Sequence, residues 1–533
     1  MANIGIIVNC LTGGGAERCA ADLSLFFEKK GYNVIFFTDL SVKSTYNYKG
    51  KLVNFTYKLT NTLNPLENKI EELRDLKDKY SIDIAISFMQ FANYINIMSK
   101  GDEKIVLTTH SVNSEYAKQD RSVFWSEYTF RELYQYADVI TFPSEYCRKD
   151  WLDHYGDQNN ITRTIYNPVH VMQTGGKAKR ENIVLAIGRL HVIKRQWHII
   201  RVFKLIKEKC PNSRLIILGD GELRSQLEQL IMDFQLENDV EMPGNVTDVN
   251  DYLARAKVFT MTSYCEAMPC SVLEAMSAGV PVVACDIPGG LREELKVEAC
   301  EGVDVFPIRS ECGVIVPYIK PFYTDQFSKE EEMLADEIVA LLNNDELWRE
   351  MGNKAKLRAA DFSLEKIGAV WVDSIINDGN SRRIDLDEFD KVKKRSMGAF
   401  SRGKENRNEM YVLYYRLLEK WMVLREHGKS TKTYFEVNGL KNIIIYGLGK
   451  MADHLIEDLK QSDINIVCAI DRGALNKRAR FPVISDENDI PNADCIVITP
   501  VYDAESIRQS LENKTTIPIL SLSDVVDGAE LHR

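Results

Sequence analysis

Glu266 and Glu274 stand eight positions apart in the run Cys265-Glu266-Ala267-Met268-Pro269-Cys270-Ser271-Val272-Leu273-Glu274. The first precedes a turn, and the second lies about two turns into the helix that follows. At about 3.6 residues per turn, both carboxylates can face one cleft. The N-terminus of that helix offers N–H groups without intrahelical partners, a seat for phosphate or another anion. An anion seat between two acceptors of hydroxyl hydrogen bonds suits a sugar activated on a nucleoside diphosphate.

Three other groups of residues could serve the same chemistry. Gly188-Arg189-Leu190-His191-Val192-Ile193-Lys194 follows an apolar strand and brings two fixed cations to its end. Arginine binds phosphate oxygens as a planar fork and lysine as a point charge, each contact being worth roughly 1.5–3 kcal/mol. Gly13-Gly14-Gly15-Ala16-Glu17-Arg18 joins a strand to a helix, where glycine lets backbone approach a ligand and the helix dipole favours negative charge. His110, in Leu107-Thr108-Thr109-His110-Ser111, also follows a strand. Taken singly these read as a solvated basic pair, turn glycines and a packed histidine. Their shared position at strand ends, with Gly219-Asp220-Gly221-Glu222, favours a common ligand.

The elements that must position these groups alternate strictly. Strands at Ile4–Val8, Asn33–Thr38, Ile82–Ser87 and Lys104–Thr108 are interleaved with helices at Glu17–Lys30 and Ile70–Lys79. After a break at Gln173–Arg180, a second series runs from the strand Ile183–Ile187 through Arg214–Leu218, Val240–Met242 and Val258–Met261 to Pro281–Cys285, again with helices between. Such α/β alternation implies parallel, doubly wound sheets, whose ligands sit beyond the carboxyl ends of the strands. The loops Asn9–Gly15, Met89–Asn93 and Thr109–Asn113 are therefore the ones to watch. The expected domains are 1–175 and 176–376, with helices Asp345–Ala360 and Leu364–Ile376 closing the second and the last returning to the first. Residues 377–440 read as a charged linker plus an amphipathic helix at Met410–Arg425, with Asp385-Leu386-Asp387 as solvated linker charge rather than a metal motif. A third unit spans 441–533.

A net charge of −11 over 533 residues argues against a dedicated nucleic-acid binder. The eleven cysteines form no CxxC pair, as expected of reduced, buried thiols in a cytoplasmic protein. Met1–Gly5 leads straight into a strand with no signal-peptide pattern, and no apolar run reaches membrane-spanning length, so membrane contact is expected to be peripheral. The aromatic segment Tyr116–Tyr136, holding Phe124, Trp125, Tyr128, Phe130 and Tyr134, reads as core packing in preference to a lipid-facing edge.

Taken together, Gly-Gly-Ala-Glu-Arg, Gly-Arg-Leu with its following Lys, Gly-Asp-Gly-Glu, the Glu266-to-Glu274 run and Gly279-Val-Pro-Val-Val-Ala-Cys-Asp286-Ile-Pro-Gly-Gly-Leu-Arg-Glu293 resemble the GT-B glycosyltransferases of family 4, as does Tyr166-Asn167-Pro168-Val169. The resemblance covers about residues 1–376. It implies a GT-B fold: two Rossmann-like domains facing a cleft, the first acceptor-side and the second holding the donor. It further implies that Glu266 binds donor-sugar hydroxyls beside the N–H groups of Ala267 and Met268, that Glu274 holds the ribose, and that Arg189 and Lys194 neutralise the diphosphate near Ser271. The backbone at Val246 would meet the base, Gly14 and Gly15 would approach from the other domain, and His110 would lie near the sugar. The family usually has Gly or Ser where Ala267 stands; alanine adopts most of the same backbone shapes.

The activity implied is retaining transfer of a hexose or N-acetylhexosamine from a nucleotide sugar, expected to be UDP-linked, to a surface glycan or lipid-linked glycan of capsule, O-antigen or teichoic-acid type. No metal or other cofactor is required in such a scheme, because fixed cations and a helix N-terminus carry the leaving group's charge; one well-placed donor is worth about 3 kcal/mol of barrier. Two alternatives stand beside it: a GT-B nucleotide-sugar epimerase, and a non-catalytic nucleotide-sensing scaffold of a polysaccharide assembly complex.

The third unit carries its own motif. The strand Asn442–Tyr446 leads into Gly447-Leu448-Gly449-Lys450-Met451-Ala452, and Asp471 ends the next strand. This pattern fits a dinucleotide turn, with NAD or another nucleotide as ligand. The unit resembles small Rossmann-like domains appended to bacterial surface-polysaccharide proteins, which implies a structural, homo-oligomerising or nucleotide-sensing role.

Overall fold

A computed structural model describes residues 2–40, 43–55, 65–117, 126–157, 159–171, 180–246, 248–297, 305–320, 326–378, 381–426, 429–460, 462–471, 481–484 and 490–531. The expected break at Gln173–Arg180 lies almost wholly outside these residues, as do Phe124 and Trp125.

The first lobe runs β1 (Asn3–Val8), α1 (Gly15–Lys29), β2 (Asn33–Thr38), β3 (Lys51–Asn54), α2 (Pro65–Lys79), β4 (Ile84–Phe88), α3 (Gln90–Met98), β5 (Lys104–Thr108), α4 (Asn113–Ala117), β6 (Val139–Phe142), α5 (Glu145–Tyr155) and β7 (Thr162–Thr164). Its seven strands lie in the order β3-β2-β1-β4-β5-β6-β7, all parallel. Strands buried on both faces read as continuous apolar runs, and Ile4, Ile6, Ile84, Ile86 and Val106 are all buried. The stretch Met89–Asn93, expected as a loop, is instead the start of α3. Met89 takes up the turn with a φ of 74°, and Phe130 and Tyr134 are buried as core residues.

The second lobe runs β8 (Ile183–Ile187), α6 (Gln196–Lys209), β9 (Arg214–Leu218), α7 (Arg224–Asp233), β10 (Val240–Gly244), α8 (Asn250–Arg255), β11 (Val258–Met261), α9 (Cys270–Ser277), β12 (Val282–Cys285), α10 (Leu291–Glu294), β13 (Ile308–Arg309), β14 (Gly313–Val316), α11 (Lys329–Asn343), α12 (Asp345–Ala359) and α13 (Leu364–Trp371). The strand order is β10-β9-β8-β11-β12-β14-β13, parallel except for the antiparallel edge strand β13. α12 lies with α9 and α11, whereas α13 and the helical turn that follows it cross back: Leu364, Ile367, Trp371 and Ile375 join the first lobe's core. The crossing is tight enough that a Cβ on Gly368 would stand 2.4 Å from the Phe26 ring.

Both lobes belong to one unit, formed by residues 1–319 and 328–399. The stretch expected as a solvated linker departs from that expectation. Residues 386–426 form a single helix, α14 (Leu386–Glu426), and Phe389, Val392 and Ser396 at i, i+3 and i+7 are buried in the first unit. Tyr94 and Ser396 share a hydroxyl hydrogen bond of 2.8 Å, and the Tyr136 and Phe389 ring centroids lie 4.8 Å apart. The apolar stripe was concealed because every position between its members is charged.

The second unit comprises residues 320–327 and 400–533. It contains α15 (Lys432–Val437), β15 (Asn442–Tyr446), α16 (Lys450–Leu459), β16 (Asn465–Ile470), β17 (Val483–Ile484), β18 (Cys495–Ile498), α17 (Ala504–Glu512), β19 (Ile519–Ser521) and α18 (Leu522–Leu531), in a parallel sheet of order β17-β16-β15-β18-β19. Leu417, Trp421 and Leu424 of α14 complete its core, and the Trp421 indole donates to Asp458 at 2.7 Å.

Candidate functional site

The carboxyl ends of β8, β11 and β12 present the residues around Glu266. Lys194, in the loop after β8, forms an ion pair with Glu266 Oε1, and the Ser263 hydroxyl donates to the same oxygen at 2.7 Å. The loop is fixed from below. Glu266 N–H donates to the Pro288 carbonyl at 3.1 Å, and a Cβ on Gly289 (φ 129°) would fall 1.6 Å from the Glu266 carbonyl, so only glycine allows the two backbones to touch. Ala267 gives its carbonyl to Gly290 N–H at 2.9 Å and to the Ser144 hydroxyl of the first lobe at 2.9 Å. Asn167, in the segment that leaves the first lobe, donates to the Met268 carbonyl at 3.3 Å.

α9 starts after Pro269 with no side-chain cap, and Ser271 and Cys270 form its first turn. α1 starts in the same way after Gly14, whose carbonyl accepts from the Tyr46 hydroxyl at 3.1 Å. The two N-termini meet, since a Cβ on Gly15 would lie 3.1 Å from Cys270 Sγ. Two positive helix ends thus share one space between the lobes. Burial there pushes the Cys270 thiol up to about 12.

Glu274 does not project alone. Arg18 Nη1, from α1 in the opposite lobe, lies 2.5 Å from Glu274 Oε1. Burial raises the Glu274 carboxyl above its ordinary range, and the Arg18 charge works in the opposite direction. Arg18 Nε lies 3.9 Å from Asp22, which in turn meets His170 Nε2 at 2.7 Å. Burial opposes the Arg18 charge, but Glu274 and Asp22 keep the guanidinium firmly protonated. Sequence reading quoted Arg18 within its motif without assigning it a partner 256 positions away.

Arg189 is exposed at the end of β8, and its charge acts on Glu17 and on the Tyr116 hydroxyl. Tyr116 also feels the Glu266 charge, which places α4 beside the same space. The Tyr264 hydroxyl donates to Glu115, joining α4 to the loop before Glu266 across the lobes. Behind it, Arg195 lies 5.1 Å from the Tyr264 ring and 5.0 Å from the Tyr318 ring. His110 stacks on Phe88 at 5.5 Å, and burial lowers its pKa to about 4, so its imidazole is neutral at physiological pH. Val246, beyond β10, is half-buried against the second lobe's core.

In the second unit, Gly447, with a φ of 85°, and Gly449 turn the chain from β15 into α16. Asp471, expected as the acid of a dinucleotide pattern, accepts the Leu448 N–H at 2.6 Å. That bond occupies one turn N–H and one oxygen of the acid, and the NAD expectation finds no support at this turn.

Among the described residues no helix is long and apolar enough to cross a membrane. Residues 13–173 match the family model described as Glycosyltransferase Family 4, and residues 171–303 match the one described as Glycosyl transferases group 1. Relatives include an uncharacterized glycosyltransferase of Methanocaldococcus jannaschii, 30% identical over 45% of this chain; the chain spans 64% of that relative's length. The N-acetylgalactosamine-N,N'-diacetylbacillosaminyl-diphospho-undecaprenol 4-alpha-N-acetylgalactosaminyltransferase of Campylobacter jejuni is 27% identical over 69% of this chain and 97% of its own. The poly(ribitol-phosphate) alpha-N-acetylglucosaminyltransferase of Staphylococcus aureus is 27% identical over 65% of each chain. Among solved structures, S. aureus TarM in complex with Fondaparinux, alpha-GlcNAc-glycerol and UDP aligns with a TM-score of 0.57 at 16% identity, over 70% of this chain and 99% of that one. Anabaena HepE in complex with UDP and glucose aligns with a TM-score of 0.55 at 18% identity, over 71% of this chain and all of that one. The two family models together run from residue 13 to residue 303, over the two lobes, and mark this part of the chain as glycosyltransferase-like in sequence and GT-B in fold.

Proposed function

We propose that the chain transfers a hexose or N-acetylhexosamine, with retention, from a UDP-sugar to a surface-glycan acceptor of the polyol-phosphate or lipid-linked kind. The observation that carries this reading is the pairing of Lys194 with Glu266 beside the meeting point of two uncapped helix N-termini. In this reading Glu266 and the N–H groups of Ala267 and Met268 hold the sugar, Glu274 the ribose, and Val246 the base through its backbone. Arg189, Lys194, Ser271 and the backbone at Gly14 and Gly15 face the diphosphate. His110, neutral at working pH, offers the sugar a hydrogen bond without adding charge.

The reaction breaks the bond between the anomeric carbon and the diphosphate while the acceptor oxygen bonds to that carbon on the same face. The acceptor's proton passes to the departing phosphate oxygen. The residues named above meet the leaving group's growing charge with fixed dipoles and cations, which is preorganised electrostatic stabilisation and does not call for a resident metal. The relatives named for N-acetylgalactosaminyl and N-acetylglucosaminyl transfer to lipid-linked and polyol-phosphate acceptors support the acceptor class. We place the protein in the cytoplasm, in peripheral contact with the membrane that carries such acceptors, and give the second unit an oligomerising role.

The test incubates the protein with UDP-GlcNAc, UDP-GalNAc, UDP-glucose and UDP-galactose, with and without polyol-phosphate and polyprenyl-diphosphate glycans. UDP release that depends on an acceptor, with an α-linked product by NMR, is expected. Epimerised nucleotide sugar without acceptor would overturn the reading in favour of an epimerase, and absence of turnover with all four donors in favour of a scaffold.

A further inference from the structure

We propose that Arg18 is a donor-phosphate ligand supplied by the first lobe, held by Glu274 until the diphosphate arrives. The proposal rests on the donor-site reading above and adds a residue and a binding order to it. Arg18 is the fourth residue of α1, the helix whose N-terminus meets that of α9 at Gly15 and Cys270. Its side chain keeps 34% of its surface exposed, whereas Glu274 keeps only 13%. A guanidinium carries five N–H donors in a fixed fork, more than one carboxylate oxygen uses, and its geometry matches phosphate.

The two carboxylates of the site are each matched to a cation in the same way: Lys194 with Glu266 and Arg18 with Glu274. A sugar or ribose hydroxyl brings no charge and so does not by itself draw a cation away from a carboxylate. A diphosphate can draw both cations toward itself, because it carries more negative charge than either carboxylate and sits at two positive helix ends. Movement of Arg18 to the phosphates leaves the Glu274 oxygens to accept ribose hydroxyls. Asp22, anchored by His170, keeps the guanidinium at the mouth of the seat during the exchange. Phosphate binding therefore precedes ribose binding, and a nucleoside without phosphates competes with Arg18 for Glu274.

The test measures UDP and uridine binding by titration calorimetry for the wild type and for Arg18→Gln, Arg18→Lys, Glu274→Gln and the double variant Arg18→Gln/Glu274→Gln. For Arg18→Gln, UDP affinity is expected to fall at least tenfold while uridine affinity holds or rises; Arg18→Lys should retain part of the UDP affinity. Where Arg18→Gln alone fails to fold, because Glu274 is left buried without its cation, the double variant removes that charge. Its UDP affinity should still lie tenfold below that of Glu274→Gln. Equal loss of UDP and uridine on Arg18→Gln, or UDP binding unchanged by Arg18→Gln in the Glu274→Gln background, would overturn the assignment of Arg18 while leaving the donor site in place. A wild-type protein that binds no UDP would instead overturn the donor-site reading itself.

Discussion

Glu293 Oε1 accepts the Tyr146 N–H at 2.8 Å while its second oxygen accepts that of Glu145 at 2.8 Å, so a carboxylate from the second lobe caps α5 of the first. The cap combines two charge-assisted hydrogen bonds with the favourable end of a helix dipole. It also lies next to Ser144, whose hydroxyl holds the Ala267 carbonyl. One acidic side chain thereby ties the approach of the lobes to the backbone beside Glu266.

Glu293→Ala is expected to lose about 1–3 kcal/mol of stability, the range for removing such bonds at a partly exposed site, as read from urea unfolding. Turnover should fall together with stability, through a higher donor KM. Glu293→Gln, which still accepts one N–H, should recover roughly half. Unchanged unfolding in Glu293→Ala would show that the capped geometry contributes nothing in solution.

Lys194→Ala is expected to weaken UDP binding by 10- to 100-fold, from roughly 1.5–3 kcal/mol per charge-assisted contact. The loss should shrink as salt rises, since the contact is partly open to solvent. Glu266→Gln keeps the shape and removes the charge that Lys194 faces, so it should lower turnover far more than UDP affinity. Calorimetry and acceptor-dependent UDP release separate the two effects.

His110 predicts an acid-side signature. Its folded pKa is depressed from 6.5 to about 4, because burial disfavours the imidazolium. A depressed pKa gives stability that is present in full above the unfolded value of 6.5 and is lost as pH falls toward 4. His110→Gln has no such group, so its thermal midpoint should fall less steeply than the wild type's between these pH values. Parallel curves would exclude an imidazole held neutral by its surroundings.

The lobes and their alternation were legible because parallel strands buried on both faces must be apolar throughout, as in Ile4–Val8 and Ile183–Ile187. The grouping of Lys194 with Glu266 follows from topology, since both stand at carboxyl ends of one sheet. Arg18 was not legible as a partner of Glu274: the two residues belong to different lobes, and nothing in local periodicity reports how two lobes face each other. The same holds for Glu115 with Tyr264. The early part of α14 was hidden for another reason. Phe389, Val392 and Ser396 form a narrow stripe within a charged run, and two of its members face Tyr136 and Tyr94, aromatic residues more than 250 positions earlier.

Glu294 supplies a prediction from a group that the proposed chemistry does not use. It is fully buried in α10, and neither carboxyl oxygen has a hydrogen-bond partner among the described residues. Burial holds its pKa well above the ordinary 4.5; the nearby Glu266 and Glu293 charges push the same way, and Arg358 opposes them. A raised folded pKa contributes stability that is complete below pH 4.5 and is lost as pH rises through the folded value, because the unfolded chain alone gains by ionising. Glu294→Gln has nearly the same shape as the protonated acid and cannot ionise. Its thermal midpoint relative to wild type should therefore increase as pH rises above 4.5, where the wild type must either keep a costly proton or bury a charge. A Glu294→Gln difference that is flat across this range, or that falls, would mean that the carboxyl finds a partner in solution and ionises at its ordinary pH.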